Sequence, residues 1–108
     1  MTAVATQTIH LDGTAPTFAA AAAGDTYEVG SAHKLIVRNG AGSSMTVTVS
    51  VPGVQAGGAD NDPIVYTVPA TTGEKWIPLN AYLADPSDGR AHVVYSSVTT
   101  VTRASVKG

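Results

Sequence analysis

The fold of this chain is decided by residues 33–51, which read HKLIVRNGAGSSMTVTVSV. Within them, residues 45–51 alternate methionine or valine with threonine or serine, a period of two typical of a strand with one apolar and one hydroxyl face. Residues 33–38 read as a second strand. Between the two, residues 39–43 are rich in glycine and asparagine, which tolerate positive φ. The stretch therefore predicts a β-hairpin.

Further strands and turns follow at short intervals along the chain. Residues 64–68 read as a strand that Pro69 ends, and a turn at 72–73 leads into a strand over 74–77. Residues 92–106 form a β-prone run whose alternation changes phase, which predicts two strands at a bend or one strand with a bulge. Turn signals recur about every 8–12 residues, so we expect an all-β fold, either an antiparallel β-sandwich or a small β-barrel of about seven or eight strands.

The domain organisation follows from the length, because 108 residues fit one domain. We predict that residues 1–16 form an N-terminal arm or an edge strand and that residues 17–108 form a single β domain. Five alanines at 19–23 are too few to nucleate a helix alone, which leaves a helical turn or a short strand open. The loop 52–63 is rich in glycine, aspartate and proline and should be exposed.

The composition excludes several classes of function. The net charge is −2, and the six basic residues are scattered singly, whereas binding of nucleic acid by counterion release needs clusters. The longest apolar stretch, Phe18–Ala23, is far too short to span a bilayer, so no membrane partner is expected. There is no cysteine, which excludes disulfides and thiolate chemistry and favours folding in a reducing cytoplasm.

No spacing in the sequence matches a catalytic or metal-binding motif. His10, His33 and His92 are far apart, and only His10 has an acidic residue, Asp12, two positions away. Two aspartate-rich turns, 60–62 and 85–89, lack the pattern of a calcium loop. The acidic residues fall mostly in turns, Asp25 among them. We therefore expect no catalytic residues, no metal, no cofactor and no enzymatic activity.

The aromatic residues are few, and Trp76 stands in a predicted strand. An indole there is a core or rim anchor, or else an interface hot spot or a platform for a sugar ring. The apolar stretch that begins at Trp76 ends in a loop containing proline, so we predict it as a protein-binding surface. Its members are Trp76, Ile77, Pro78, Leu79, Tyr82 and Leu83.

From Gly24 onward, the strand-and-turn pattern resembles small all-β bacteriophage virion proteins encoded among head genes. The segments that carry the resemblance are GDTY (24–27), HKLIVRNG (33–40), MTVTV (45–49), YTVPA (66–70), GE (73–74), WIPL (76–79) and VVYSSVTTVT (93–102). The resemblance implies a non-enzymatic virion protein, assembled in the host cytoplasm. The role it implies is a capsid decoration (cement) protein, which binds the outer surface of the shell of major capsid protein and stabilises it. Such proteins commonly form trimers, so the resemblance also implies a homo-oligomer.

Three other functions remain open at this point. A head-tail connector or a tail component would have the same composition. A carbohydrate-binding β-sandwich would use Trp76 and Tyr82 as stacking platforms. An enzyme would need a site assembled wholly by the fold. For a decoration protein, we expect the arm at 1–16 to reach an adjacent subunit.

Overall fold

A computed structural model of the chain describes residues 2–9, 13, 15–53, 57–59 and 61–107. These residues form a sandwich of two mixed five-stranded sheets, which confirms the predicted all-β fold class. A 3-10 helix covers Ala81–Leu83, and no helix in these ranges has the length and hydropathy that a membrane span needs. The strands are β1 (Thr2–Val4), β2 (Thr6–Thr8), β3 (Ala19–Ala20), β4 (Gly24–Tyr27), β5 (His33–Asn39), β6 (Met45–Val49), β7 (Ile64–Val68), β8 (Gly73–Pro78), β9 (Ala91–Tyr95) and β10 (Val101–Lys107).

The two sheets differ in strand order. Sheet A runs β1-β4-β9-β6-β7, and sheet B runs β2-β10-β5-β8 with β3 beside β10. The pairs β1–β4 and β2–β10 are parallel, while the other pairs of the described strands are antiparallel, as expected. The strand count exceeds the expected seven or eight because β1, β2 and β3 are only two or three residues long. Such short strands show no clear alternation.

The predicted hairpin at residues 33–51 is wrong. Both strands form, but β5 pairs with β8 and β10 in sheet B, whereas β6 pairs with β7 and β9 in sheet A. The loop between them crosses from one sheet to the other. The buried side chain of Asn39 holds this crossing: its Nδ2 donates to the carbonyl oxygens of Ser43 and Pro69, and its Oδ1 accepts from the amide of Ala41. Residues 92–106, in contrast, do form two strands, one in each sheet.

The apolar core lies between the sheets and follows the period of two. Leu35 and Val37 of β5 and Val47 and Val49 of β6 are fully buried, and they alternate along the strand with outward-facing residues. Ile77 continues the core on β8. Alternation that matches the pleat is what fixes which side of each strand faces inward.

A polar cluster lies in the core between β4 and β9 of sheet A and β10 of sheet B. The carboxylate of Asp25, which is fully buried, accepts hydrogen bonds at Oδ2 from Arg103 Nε (2.9 Å), the Tyr95 hydroxyl (2.9 Å) and the Tyr27 hydroxyl (3.1 Å). The two tyrosine hydroxyls also lie within hydrogen-bond distance of each other, and because each carries one proton, two protons are shared among these three contacts. Asp25 lies within β4, which agrees with reading residues 25–29 as a strand and not with counting Asp25 among the acids in turns.

Burial controls the ionisation of this cluster. It raises the pKa of both Tyr27 and Tyr95 well above the ordinary value of 10.0, because a buried phenolate loses its hydration, and the negative charge of Asp25 adds to the effect. Both hydroxyls therefore keep their protons beside the ion pair of Arg103 with Asp25.

The N-terminal segment contributes strands to both sheets. β1 lies along β4 at the edge of sheet A, and after Ala5 the chain enters β2 along β10 in sheet B. Arg90 links the segment to β4, because its Nη2 donates to the carbonyl oxygens of Val4 (2.8 Å) and Thr26 (3.0 Å).

Candidate functional site

The candidate site is on the outer face of sheet B and is centred on Trp76. β8 begins at Gly73, where a Cβ would lie 1.8 Å from the carbonyl oxygen of Pro69, so this tight entry requires glycine. The alternation that follows buries Ile77 in the core and turns Trp76 outward. The indole is 57% exposed.

Trp76 borders a groove of about 390 Å³, which we call the Trp76 groove. Ile36 forms its floor: it points away from the core, between the inward-facing Leu35 and Val37, yet its side chain is buried. The groove is therefore apolar at the base, with cationic side chains among its walls. It is lined by Ile9, Pro16, Phe18, Lys34, Ile36, Arg38, Trp76 and Val106.

A chain of contacts fixes the side chains around the groove. The indole Nε1 of Trp76 donates to Glu74 Oε2 at 3.0 Å, and Arg38 Nε donates to Glu74 Oε1 at 2.6 Å. The guanidinium of Arg38 stacks over the ring of Phe18, 3.8 Å from its centroid. The hydrogen bond from Arg38 and then that from Trp76 lower the pKa of Glu74, so its carboxylate stays charged. Trp76 is thus connected through Glu74 to Arg38 and Phe18.

The structure divides the six predicted interface residues into two groups. Trp76, Pro78 and Tyr82 are exposed, with Tyr82 at 59%. Ile77, Leu79 and Leu83 are buried in the core cluster and offer no surface. Tyr82 does not line the Trp76 groove; it lies near Tyr66, and their proximity adds to the burial that raises the pKa of Tyr66. The interface itself stays a prediction, with three exposed residues instead of six.

The outer face of sheet A carries a second exposed apolar group. Val65 of β7 and Val94 of β9 are 56% and 48% exposed, and Thr48 of β6 lies between them in register. The exposed residues at the centre of this face are aliphatic, and neither Val65 nor Val94 lines the Trp76 groove. It therefore provides a matched surface against which the role of Trp76 can be judged.

A group of possible metal ligands lies beside the turn that follows the 3-10 helix. Ligand atoms of Asp85, Asp88 and His92 all lie within 4.8 Å of one another. Their bonds are partly used within the turn: Asp85 Oδ1 accepts from the amide and hydroxyl of Ser87, and Asp88 Oδ2 lies 2.9 Å from His92 Nε2. Sequence reasoning missed this proximity; the signal was the spacing of three and then four residues between these ligands.

Among the described residues, no other group of three possible metal ligands lies together. His33 lies near a carboxylate, with its Nε2 3.9 Å from Glu28. His10, Asp12 and Asp60 are outside the described residues. Gly89, in the turn at 85–89, has φ of +70°, the left-handed conformation that glycine permits there.

Comparison of the chain with protein-family models, with curated proteins and with solved structures found no match. The resemblance to phage virion proteins therefore stays a prediction, carried by the segments in which it was seen.

Proposed function

We propose that this chain is a non-enzymatic structural protein of a bacteriophage virion, a decoration protein that binds the outer surface of the shell of major capsid protein. The observation that carries the proposal is Trp76, which is more than half exposed on strand β8 and hydrogen-bonded to Glu74. A large aromatic side chain fixed at the surface gives a binding site without the entropy cost of ordering it.

The composition of the Trp76 groove fits a protein partner. Interface hot spots are enriched in tryptophan, tyrosine and arginine, and they lie where apolar pockets can be fully desolvated. Trp76 and Arg38 supply two of these residue types beside the apolar floor of Ile36. The exposed Pro78 extends the same face along β8.

The low charge of the chain supports docking onto a repeated surface. Only 13% of the residues are charged, so bringing many copies close together on a shell causes little repulsion. A protein that binds the assembled shell and not its separate subunits stabilises the shell by mass action. Each copy then needs only modest affinity, because the effect is multiplied over many sites.

The test is co-sedimentation of the purified protein with undecorated heads of the phage that encodes it. The variant Trp76→Ala should bind about 30-fold more weakly, which corresponds to a hot spot of about 2 kcal/mol. Val65→Ala is the matched control, because Val65 is equally exposed but lies on the opposite sheet. It should bind like the unaltered chain. Equal binding of both variants would contradict the assignment of the Trp76 groove.

Two further readouts separate the alternatives. Gold-labelled protein on negatively stained heads should cover the whole shell, whereas a connector or tail component would label one vertex. A carbohydrate-binding module is favoured by one observation, an exposed indole beside the Glu74 carboxylate and the Arg38 guanidinium. Binding on a glycan array that Trp76→Ala abolishes, with no binding to heads, would replace the proposal with that function.

A further inference from the structure

The N-terminal segment Thr2–Thr8 is attached to the domain along its edges. β1 pairs with β4 from Thr2 opposite Asp25 to Val4 opposite Tyr27, and β2 pairs with β10 from Thr6 opposite Ser105 to Thr8 opposite Lys107. The amide of Ile9 continues this ladder to the carbonyl oxygen of Lys107 at 2.8 Å. The contacts of the segment are thus mainly those of its backbone.

Few side chains hold the segment in place. Among residues 2–9, Val4 alone is buried. A surface groove of about 340 Å³ lies where this segment meets β10, and its lining includes Ala3, Ala5, Gln7, Arg103 and Ser105. The segment therefore adds one apolar side chain, Val4, to the core and is otherwise held along its edges.

We call the edges of β4 and β10 that the segment covers the slot, and their backbone groups pair with those of a strand. The Nη2 atom of Arg90 donates to two backbone carbonyl oxygens at this edge, that of Val4 in the segment and that of Thr26 in β4. Without a strand in the slot, the edges of β4 and β10 would lose their hydrogen-bond partners, and unpaired edges take up other strands.

We propose that two copies of this chain exchange the segment Thr2–Thr8, so that each fills the slot of the other. The same segment from a second copy would fit the slot, because it has the same strand register, the same buried Val4 and the same backbone hydrogen bonds. Gln7 completes the match: its side chain donates to the Thr17 carbonyl oxygen (2.9 Å) and accepts from the Thr17 amide (2.8 Å). All of these bonds form equally well between two chains.

The connecting sequence is long enough for exchange. Eight residue steps separate Ile9 from Thr17, and at about 3.3 Å for each step they span about 26 Å when extended. Gly13 lies within this connection with φ of +95°, and glycine adopts this and extended conformations about equally readily. The exchange goes beyond the proposed function and does not rest on binding to a shell.

The experiment is a disulfide cross-link, which is clean because the chain has no cysteine. Thr8→Cys with Lys107→Cys places two thiols at paired positions of β2 and β10. The control is Thr46→Cys with Thr67→Cys, at paired positions of β6 and β7, which do not exchange. Tagged and untagged forms of each variant are mixed at high concentration, oxidised and separated on a denaturing gel without reductant.

Exchange predicts dimers of one tagged and one untagged chain for the Thr8–Lys107 variant, in an amount that rises with concentration, while the Thr46–Thr67 variant stays monomeric. Monomeric bands for both variants would overturn the proposal, and so would equal dimer in both, which indicates random oxidation. Light scattering on the unaltered chain is the second measurement. A monomer mass at every concentration would also overturn it, whereas head binding by Trp76→Ala and Val65→Ala tests the other proposal separately.

Discussion

The core of the sandwich has two halves that hold together by different physics. The half between β5, β8 and β6 is apolar, with Leu35, Val47 and Ile77 fully buried. The half between β4, β9 and β10 is built around the buried charge of Asp25, which three side chains hydrogen-bond at one oxygen. The apolar half is stabilised by the amount of surface removed from water, while the polar half depends on each partner being present.

The difference teaches where the two sheets are fixed relative to each other. Apolar contacts are non-directional and permit small shifts of one sheet over the other. The ion pair of Asp25 in sheet A with Arg103 in sheet B is directional, and the hydroxyls of Tyr27 and Tyr95 bond the same carboxylate. We therefore expect the polar half to set the alignment of the sheets and the apolar half to supply most of the stability.

Breaking the polar half should have the largest effect. Arg103→Leu leaves the Asp25 carboxylate buried without its counter-charge, which should lower the free energy of unfolding by about 3–5 kcal/mol. Chemical denaturation measures the loss. Arg38→Leu is the control, because it breaks the exposed pair with Glu74 and should cost no more than about 1 kcal/mol. A similar small loss for Arg103→Leu would contradict the description of the cluster.

The double variant Asp25→Val with Arg103→Leu refines that test. It removes both charges, so it should be more stable than Arg103→Leu alone, since an apolar replacement of a buried pair is often neutral. If the double variant is less stable than Arg103→Leu, then losing the carboxylate as the acceptor for the Tyr27 and Tyr95 hydroxyls costs more free energy than leaving its charge unpaired.

Alkaline pH should destabilise the polar half of the core without any mutation. The pKa values of Tyr27 and Tyr95 are raised above the ordinary 10.0, so the unfolded chain loses these protons at lower pH than the folded chain does. The two tyrosines therefore leave the free energy of unfolding unchanged below about pH 10 and lower it as the pH rises above about 10. At about pH 11 each tyrosine should cost about 1.4 kcal/mol, about 3 kcal/mol together. Denaturation midpoints across this range measure the slope. In Tyr95→Phe the slope should fall by about half, and an unchanged slope would contradict the assignment.

The apolar half should respond least to a small change. Ile77→Val removes one methylene group from a fully buried side chain and should cost about 0.5–1.5 kcal/mol. Because no partner is left unpaired, its effect should add to that of Arg103→Leu in the double variant. Non-additive values from the same denaturation curves would show that the two halves are coupled.

The strands could be predicted from the sequence because one face of each is buried. The alternation at 45–49 and the run at 64–68 gave β6 and β7 with their inward faces. Pairing could not be predicted in the same way, because alternation shows which side of a strand faces inward but not which sheet the strand joins. A short loop joins β5 to β6 across the sandwich as easily as it would close a hairpin.

The candidate site was only partly predictable for a related reason. Trp76 was singled out as a large aromatic residue, but its neighbours Phe18 and Arg38 come from distant parts of the chain. The pair of Asp25 with Arg103 was missed because 78 positions separate them. One signal was present: Arg103 stands between Val101 and Ser105 at inward positions of β10, and a charged residue there requires a buried partner.

The parallel pairing of β2 with β10 also sets how the domain responds to a pulling force. In a parallel pair, the start of one strand and the end of the other lie at opposite ends of the ladder. A force between Thr6 and Lys107 therefore loads the hydrogen bonds of β2 with β10 together, in shear, and does not open them one after another. The short strand β2, none of whose side chains is fully buried, is thus loaded along its whole ladder at once.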